Sequence, residues 1–510
     1  MKELADIADR RPIAMTAEER RTVLTLARDI VGGDGDSTPG PVEPLEAPGP
    51  SITPPRARRR ADPTGSVLRW CDVGPLGDGP LSGWTISVKD SIAVGGVAMS
   101  CGLRELQTHV PAADSVVVHR LRSAGARIAA VTNMDALGMA ASGETSGYWV
   151  TTNPFDPTRT AGGSSSGAAA GLYLPQIDAA LGTDQGGSVR VPASWCGVLG
   201  MKPTHGIVPY RGNAGIHSVL DHVGPLARTA EQLASMMDAL TSDTSAGRTV
   251  SNPAPGHTYR AAVEHAPVRL RGTRIALLRE AMGTECEEPV ARGIHEAAAR
   301  LEMLGARLRI VEVPEHLKVE DASGWLNALG IADLLDHRVI GPAGPRFSRE
   351  LIRSIKQDGA SVSPQVKAAW IAGVRLGSDR SRVLNAVRRA RRQLAAAYDR
   401  ALNEVDVLFL PTTPHPAFVV PSVPSVSGLV RRGWTMLRHT EPFNLTGHPA
   451  LSVPVGIVEV SGRRLPAGGM FIGRMFDDAR LLSLAATYER GFGWQTPTAH
   501  RRPMKTVDDR

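Results

Sequence analysis

The 510-residue chain is poor in aromatic residues and in cysteine: aromatics make up 4% of it, and it holds four cysteines. None of the cysteines is paired as C-x-x-C, and no Cys/His cluster has the spacing of zinc ligands. A chain of this length with so few, scattered cysteines is typical of a reduced, intracellular protein. We therefore expect no metal site. The cysteines are Cys71, Cys101, Cys196 and Cys286.

Long apolar runs are also missing. No stretch approaches the roughly 18 apolar residues that a membrane-spanning helix needs. The N-terminus, MKELADIADRRP, lacks the apolar segment of a secretory signal peptide. We expect a cytoplasmic protein without a membrane partner.

The net charge is +7 and the isoelectric point is about 9.5, which raises the question of a nucleic-acid partner. The densest basic runs lie at 56–60, in a Pro-rich stretch, and at 388–392, on a polar helix face. No aromatic residue interleaves with either run, as a base-stacking surface would require. We interpret both runs as solvated surface and expect no nucleic-acid partner.

Two regions differ in composition. Residues 1–32 are predicted to be helical, because Thr16 followed by Glu18 and Glu19 is typical of a helix start and an apolar stripe follows. Residues 33–65 are rich in Pro, Gly and charge, which is linker composition. The sequence therefore predicts a helical N-terminal extension with a Pro-rich linker (1–65) and a catalytic domain (66–510).

The catalytic domain alternates β-branched runs with helical patterns. This alternation, without a fixed repeat, predicts an α/β layered fold with helices on both faces of a buried sheet. Strands are predicted at 86–88, 127–132, 273–278, 306–312 and 405–410, and helices at 115–124, 228–240, 288–304 and 379–404.

Two glycine- and serine-rich tracts carry the strongest chemical signal: TAGGSSSGAAAG at 160–171 and GTDQGGSVRVP at 182–192. Such tracts are usually flexible linkers, but these lie between apolar, structured segments. Consecutive backbone N–H groups at 185–188 can converge on one point because bulky side chains are absent, which is typical of an oxyanion hole. Ser188 lies on the same turn and is the candidate nucleophile.

The base that would activate this serine is not a histidine, because none lies near the tracts and the G-x-S-x-G pattern is missing. A lysine can serve if burial keeps it neutral. Lys89, at the end of the strand-like run TISVKDSIAV, is the best candidate. A single lysine is far more often a surface residue, so this assignment depends on the glycine tracts.

Together, Lys89 in SVKDS, the GGSSSG tract and GTDQGGSVRVPASWCGVLGMKPTHGIVP resemble the amidase-signature family, over residues 66–498. The resemblance implies a large, mixed, twisted central sheet and a catalytic triad of Lys89, Ser164 and Ser188. It also implies a cis peptide bond at Gly163–Ser164. The oxyanion hole would be formed by the backbone N–H groups of Gln185, Gly186 and Gly187. No cofactor is implied.

The resemblance also suggests supporting residues. Asp184 and Arg190 are expected to form an ion pair beside the nucleophile, and Ser165 and Ser166 to be scaffold. The acyl pocket is expected to include Gly138, Met139 and Ser142. Three aromatic residues fit either the pocket or core packing, with core packing favoured: Trp195, Trp434 and Phe443.

Within the family, GTDQGGSVRVPA, DHVGPLART and FNLTGHPALSVPVG resemble the enantioselective amidases associated with nitrile hydratases, which also carry a helical N-terminal extension. In contrast, residues 132–147 and NPFDPTRTAGGSSSG resemble the A-type component of the aminoacyl-tRNA amidotransferase. The stand-alone enzyme is favoured: a homodimer that hydrolyses a small-molecule amide. Two alternatives are kept, the amidotransferase component and a biosynthetic amide hydrolase or acyl-transfer enzyme. The doubled glycine in LPAGGMFIG (465–473) departs from the usual pattern.

Overall fold

The computed structural model describes residues 1–11, 14–32, 62–242, 258–283, 285–318, 320–336, 341–422 and 425–494. Within these ranges the strands form one sheet of eleven, and helices cover it, as the sequence predicts. The strands are β1 Val67–Val73, β2 Thr85–Lys89, β3 Arg127–Thr132, β4 Ala179–Asp184, β5 Leu199–Lys202, β6 His222–Ala227, β7 Arg274–Leu278, β8 Arg307–Val311, β9 Val407–Pro411, β10 Ala450–Val460 and β11 Arg463–Ile472.

The helices vary from five to 25 residues. They are α1 Lys2–Asp9, α2 Ala17–Val31, α3 Val116–Ser123, α4 Ser166–Ala170, α5 Arg190–Cys196, α6 Ala230–Thr241, α7 Tyr259–Glu264, α8 Glu288–Met303, α9 Glu320–Leu335, α10 Pro345–Gln357, α11 Pro364–Gly377, α12 Arg380–Glu404, α13 Val426–Trp434, α14 Glu441–Thr446 and α15 Asp478–Phe492.

The sheet is mixed, with the order β1-β3-β2-β4-β6-β5-β10-β11-β9-β7-β8. Strands β2 and β4 are neighbours and run parallel, with Val88 opposite Leu181. Their carboxyl ends therefore meet at the same edge of the sheet. Lys89 ends β2 and Asp184 ends β4, so this topology brings the predicted lysine to the turn that carries the predicted nucleophile.

Local sequence explains the main elements. The Thr16 side chain caps α2 by accepting a hydrogen bond from the Glu19 backbone N–H at 3.1 Å, as its position before two glutamates predicts. The five predicted strands and four predicted helices are all present, with bounds that differ by one to three residues. Strand β4 is buried along its whole length, which explains why its sequence, AALGTD, does not alternate between polar and apolar residues.

The N-terminal helices pack into the body of the protein. Leu24 and Ile30 of α2 share an apolar cluster with Trp370 and Ile371 of α11. The Lys367 ammonium group forms a salt bridge with Glu19 at 2.6 Å, in a largely buried position. The predicted linker lies mostly at 33–61, outside the described residues, so the domain boundary near residue 65 stays a prediction.

The doubled glycine of β11 has a packing explanation. A Cβ at Gly468 would lie 2.5 Å from the Ser194 hydroxyl of α5, and one at Gly469 would lie 2.5 Å from the Phe409 ring. Both distances are too short for a side chain. The two glycines therefore let α5 and β9 approach β11 closely, on the side of the sheet that supports the nucleophile turn.

Two further sequence expectations concern the whole chain. All four cysteines have free thiols. In the part of the chain that the structure describes, no helix is both long and apolar enough to cross a membrane.

Candidate active site

Lys89 lies at the centre of a buried polar cluster. Its Nζ is 2.7 Å from Ser164 Oγ, 2.9 Å from Thr183 Oγ1 and 3.1 Å from the Thr183 carbonyl oxygen. The lysine and Ser164 are both fully buried. The structure therefore brings together, at hydrogen-bond distance, two of the three residues assigned to the triad from the sequence.

The electrostatic setting favours an uncharged lysine. Burial lowers the pKa of Lys89 to about 7, and the carboxylates of Asp135 and Asp184 oppose this shift only in part. The Asp135 carboxyl, whose pKa burial raises to about 6, accepts hydrogen bonds from the Thr145 backbone N–H at 2.8 Å and its hydroxyl at 2.7 Å. A lysine near neutrality can take up and release a proton at physiological pH.

Ser188 lies on the turn between β4 and α5 and lines a cleft. The Gly163–Ser164 peptide bond is cis, as the family resemblance predicts. The next residue, Ser165, donates its backbone N–H to the Ser188 carbonyl oxygen at 3.1 Å. The two serine-bearing segments are therefore hydrogen-bonded to each other directly beside the proposed relay.

The two glycines before Ser188 have different requirements. Gly187 has φ +146°, and a Cβ there would lie 2.2 Å from Thr440 Oγ1. A Cβ at Gly186 would meet Leu437 at an ordinary 3.5 Å. The close backbone approach that the sequence predicts for this tract is therefore needed at Gly187 and not at Gly186.

A buried ion pair fixes the turn. The Arg190 guanidinium donates two hydrogen bonds to the Asp184 carboxylate, both at 3.0 Å, and both side chains are fully buried. Although burial opposes ionisation, Arg190 holds the pKa of Asp184 below its usual range. The Asn444 amide donates to Asp184 at 2.9 Å. The supporting ion pair predicted from the sequence is present in the structure, with Asn444 as an additional member.

The cleft in front of Ser188 has a volume of about 1180 Å³. Its wall combines buried apolar side chains with arginines, several of them exposed. Helix α2 of the N-terminal extension contributes to it. The apolar part includes Leu26, Ile30, Met139, Ala369, Leu376, Val383 and Leu437, and the arginines are Arg21, Arg375, Arg382, Arg431 and Arg438.

The predicted pocket residues have different positions. Gly138 and Met139 line the cleft, as does Trp434, whose indole N–H donates to the Met139 carbonyl oxygen at 3.3 Å. Ser142 is fully buried and is not among the lining residues. Trp195 and Phe443 are also fully buried, in the core packing that the sequence favours for them.

Three residues of this site were not identified from the sequence: Asp135, Thr183 and Tyr210. Thr183 holds the Lys89 amine, and the Tyr210 hydroxyl accepts a hydrogen bond from Gln185 Nε2 at 2.8 Å. Thr183 directly precedes Asp184 in the tract already singled out, so its position was a usable signal. Tyr210 lies 25 residues beyond Gln185, and no local pattern indicates it.

This arrangement of lysine and two serines at a glycine-rich turn agrees with the comparison to known proteins. Residues 71–482 match the family described as Amidase. The chain belongs to the amidase family, and its fold is the amidase-signature α/β fold.

Two relatives are components of one kind of enzyme. The A-type component of the glutamyl-tRNA(Gln) amidotransferase of Methanosarcina mazei is 34% identical over 430 residues, which cover 82% of this chain and 86% of the relative. The crystal structure of the corresponding component from Thermotoga maritima has a TM-score of 0.67 at 28% identity, covering 83% of this chain and 87% of that one.

A third similar structure is described as a vestigial protein complex that reveals the origins of an s-triazine catabolic enzyme. It has a TM-score of 0.64 at 25% identity and covers 97% of this chain and 98% of that one.

These relatives correct one sequence expectation. The preference for the enantioselective amidases associated with nitrile hydratases is not supported, and similarity to the A-type components of amidotransferases takes its place. The segments behind that preference surround the nucleophile and the sheet below it, where packing and chemistry constrain the sequence throughout such a fold. They therefore indicate the reaction better than the substrate.

Proposed function

We propose that this chain hydrolyses a carboxamide to the acid and ammonia through an acyl-serine intermediate on Ser188. The observation that carries the proposal is the buried Lys89 amine, 2.7 Å from Ser164 Oγ beside the turn of Ser188. A neutral amine has two N–H donors and one lone pair. Three neighbours at Nζ therefore fit donation to Thr183 and acceptance of the Ser164 proton.

In this mechanism Ser164 passes its proton to Lys89 and takes up the proton of Ser188, while the Ser188 oxygen bonds to the amide carbon. The backbone N–H groups of Gln185, Gly186 and Gly187 stabilise the oxyanion. The C–N bond then breaks, and the nitrogen leaves with a proton returned by Lys89 through Ser164. Water next attacks the acyl-enzyme by the same relay and releases the acid.

Similarity favours one biological setting. The curated relatives are A-type components of a glutamyl-tRNA(Gln) amidotransferase, which favours a chain that liberates ammonia from glutamine within a tRNA-dependent complex. The arginines at the cleft are compatible with a substrate such as glutamine, which carries a carboxylate. In this setting the chain has protein partners.

A specific observation supports a second setting, a stand-alone amidase in a homodimer. The acyl side of the cleft is largely apolar, and helix α2 forms part of its wall. An apolar wall binds an aliphatic or aryl acyl group better than it binds the charged backbone of glutamine, because the charges would lose their hydration.

One experiment separates these settings. The purified chain is assayed for ammonia release from L-glutamine, hexanamide and 4-phenylbutanamide, and its mass in solution is measured. The amidotransferase setting predicts little turnover alone and co-purification with partner proteins, whereas the stand-alone setting predicts an active homodimer that prefers the apolar amides. In both, Ser188→Ala abolishes turnover, and a pure Ser188→Ala protein with full activity would exclude the proposed nucleophile.

A further inference from the structure

The Gln185 side chain has an unused hydrogen-bond acceptor inside the site. Gln185 is 5% exposed, and its Oε1 is buried without a hydrogen-bond partner among the described residues. An unsatisfied buried acceptor of this kind costs stability, so its retention requires an explanation.

The orientation of this amide is fixed from the other end. Its Nε2 donates to the Tyr210 hydroxyl at 2.8 Å, and that hydroxyl donates to the Ala214 carbonyl oxygen at 2.9 Å. Exchanging the two ends of the amide would point Oε1 at a tyrosine oxygen whose proton is already committed to Ala214. The NH₂ end therefore stays on Tyr210, and Oε1 stays directed away from it.

The space that Oε1 faces is also the space beside the relay. A Cβ built on Gly138 would lie 3.7 Å from Gln185 Oε1 and 3.5 Å from Ser164 Oγ, so both oxygens border the same gap. Gly138, Gln185 and Ser188 all line the cleft. In the proposed mechanism the leaving nitrogen must lie near Ser164, which returns a proton to it.

We propose that Gln185 Oε1 accepts a hydrogen bond from the NH₂ group of the scissile carboxamide and so makes the site selective for amides over esters of the same acid. This inference rests on the proposed function. When the nitrogen turns its lone pair towards Ser164, an N–H remains for Oε1. The alkoxy oxygen of an ester has no proton to offer and leaves Oε1 unsatisfied.

The test compares the amide with the highest turnover in the panel and the methyl ester of the same acid. Gln185→Met keeps the length of the side chain but removes both polar ends. The ratio of kcat/KM for amide to that for ester is expected to fall about 10-fold to 100-fold, the range that one lost buried hydrogen bond covers. A change in the amount of folded enzyme scales both rates equally and leaves their ratio unchanged.

Tyr210→Phe is the second variant, because it only loosens the amide that holds Oε1. Its ratio is expected to fall in the same direction by about three-fold. An unchanged amide-to-ester ratio in folded Gln185→Met would overturn the inference and leave the proposed function intact. In contrast, wild-type protein that hydrolyses none of the amides, or that keeps its turnover in Ser188→Ala, would contradict the proposed function itself.

Discussion

The turn that carries Ser188 and the wall of the cleft in front of it are assembled differently. The turn comes from one short stretch, 182–190, whose ion pair and glycines are adjacent in sequence. The wall is assembled from residues far apart in the chain, on α2, α9, α11, α12 and α13. The chemistry is therefore encoded locally, whereas the shape that selects a substrate depends on long-range packing.

The largest expected effect comes from the relay. Lys89→Met should lower kcat/KM for amides by about 10³-fold to 10⁴-fold, because the proton of Ser188 loses its acceptor. The measurement is steady-state ammonia release at pH 8, above the pKa of about 7 for Lys89.

The chain offers a matched control for this variant. Lys202 is also fully buried, its pKa is also lowered by burial to about 7, and its amine donates to the Pro203 carbonyl oxygen instead of a relay serine. Lys202→Met should change thermal stability more than it changes the pH profile of kcat/KM. Equal catalytic losses in the two variants would contradict the assignment of Lys89 as the base.

A smaller effect is expected within the glycine tract. Gly187→Ala should lower kcat by about 100-fold, because the new Cβ would meet Thr440 and displace the oxyanion donors. Gly186→Ala, with ordinary space at its Cβ, should lose less than about 10-fold. Steady-state kinetics on both proteins measure the difference, and equal losses would argue against the proposed close approach at Gly187.

The smallest effect is expected at the cleft wall. Leu24 and Leu26 both lie buried on α2, but only Leu26 is among the cleft-lining residues. Leu26→Ala should raise KM for 4-phenylbutanamide by about 10-fold while leaving the KM for a two-carbon amide nearly constant. Leu24→Ala should destabilise the fold to a similar extent, by about 2–5 kcal/mol, without this selectivity. If both variants shift KM equally, α2 does not select the substrate.

The same contrast explains how far the sequence could be interpreted. The strands, the long helix α12, the relay lysine and the nucleophile turn were predictable, because each is encoded in a run of about 5 to 25 residues with its own periodicity or glycine pattern. The contribution of α2 to the cleft was not, since the intervening segment gives no indication of where the helix docks. Tyr210 and Asn444 were missed for the same reason: each approaches the turn from a distant segment.

Substrate preference belongs to the second group. The segments that resemble the nitrile-hydratase-associated amidases lie beside the nucleophile or in the strands that support it, where one mechanism imposes one sequence pattern. Similarity over 430 residues also includes the walls of the cleft and instead favours the A-type components of amidotransferases. The contrast between apolar wall and rim arginines is what a substrate panel resolves.

The most direct test of the account is the pH dependence of fluorophosphonate labelling in the free enzyme. The Lys89 pKa lies below its ordinary value of 10.5, so the amine is protonated and inactive below about pH 7 and neutral above it. The labelling rate of Ser188 should therefore rise with pH through an apparent pKa near 7 and then level off, and Lys89→Met should remove this rise. A rate that does not change between pH 5 and 9 in the wild-type protein, or a label found on another residue, would contradict the central claim.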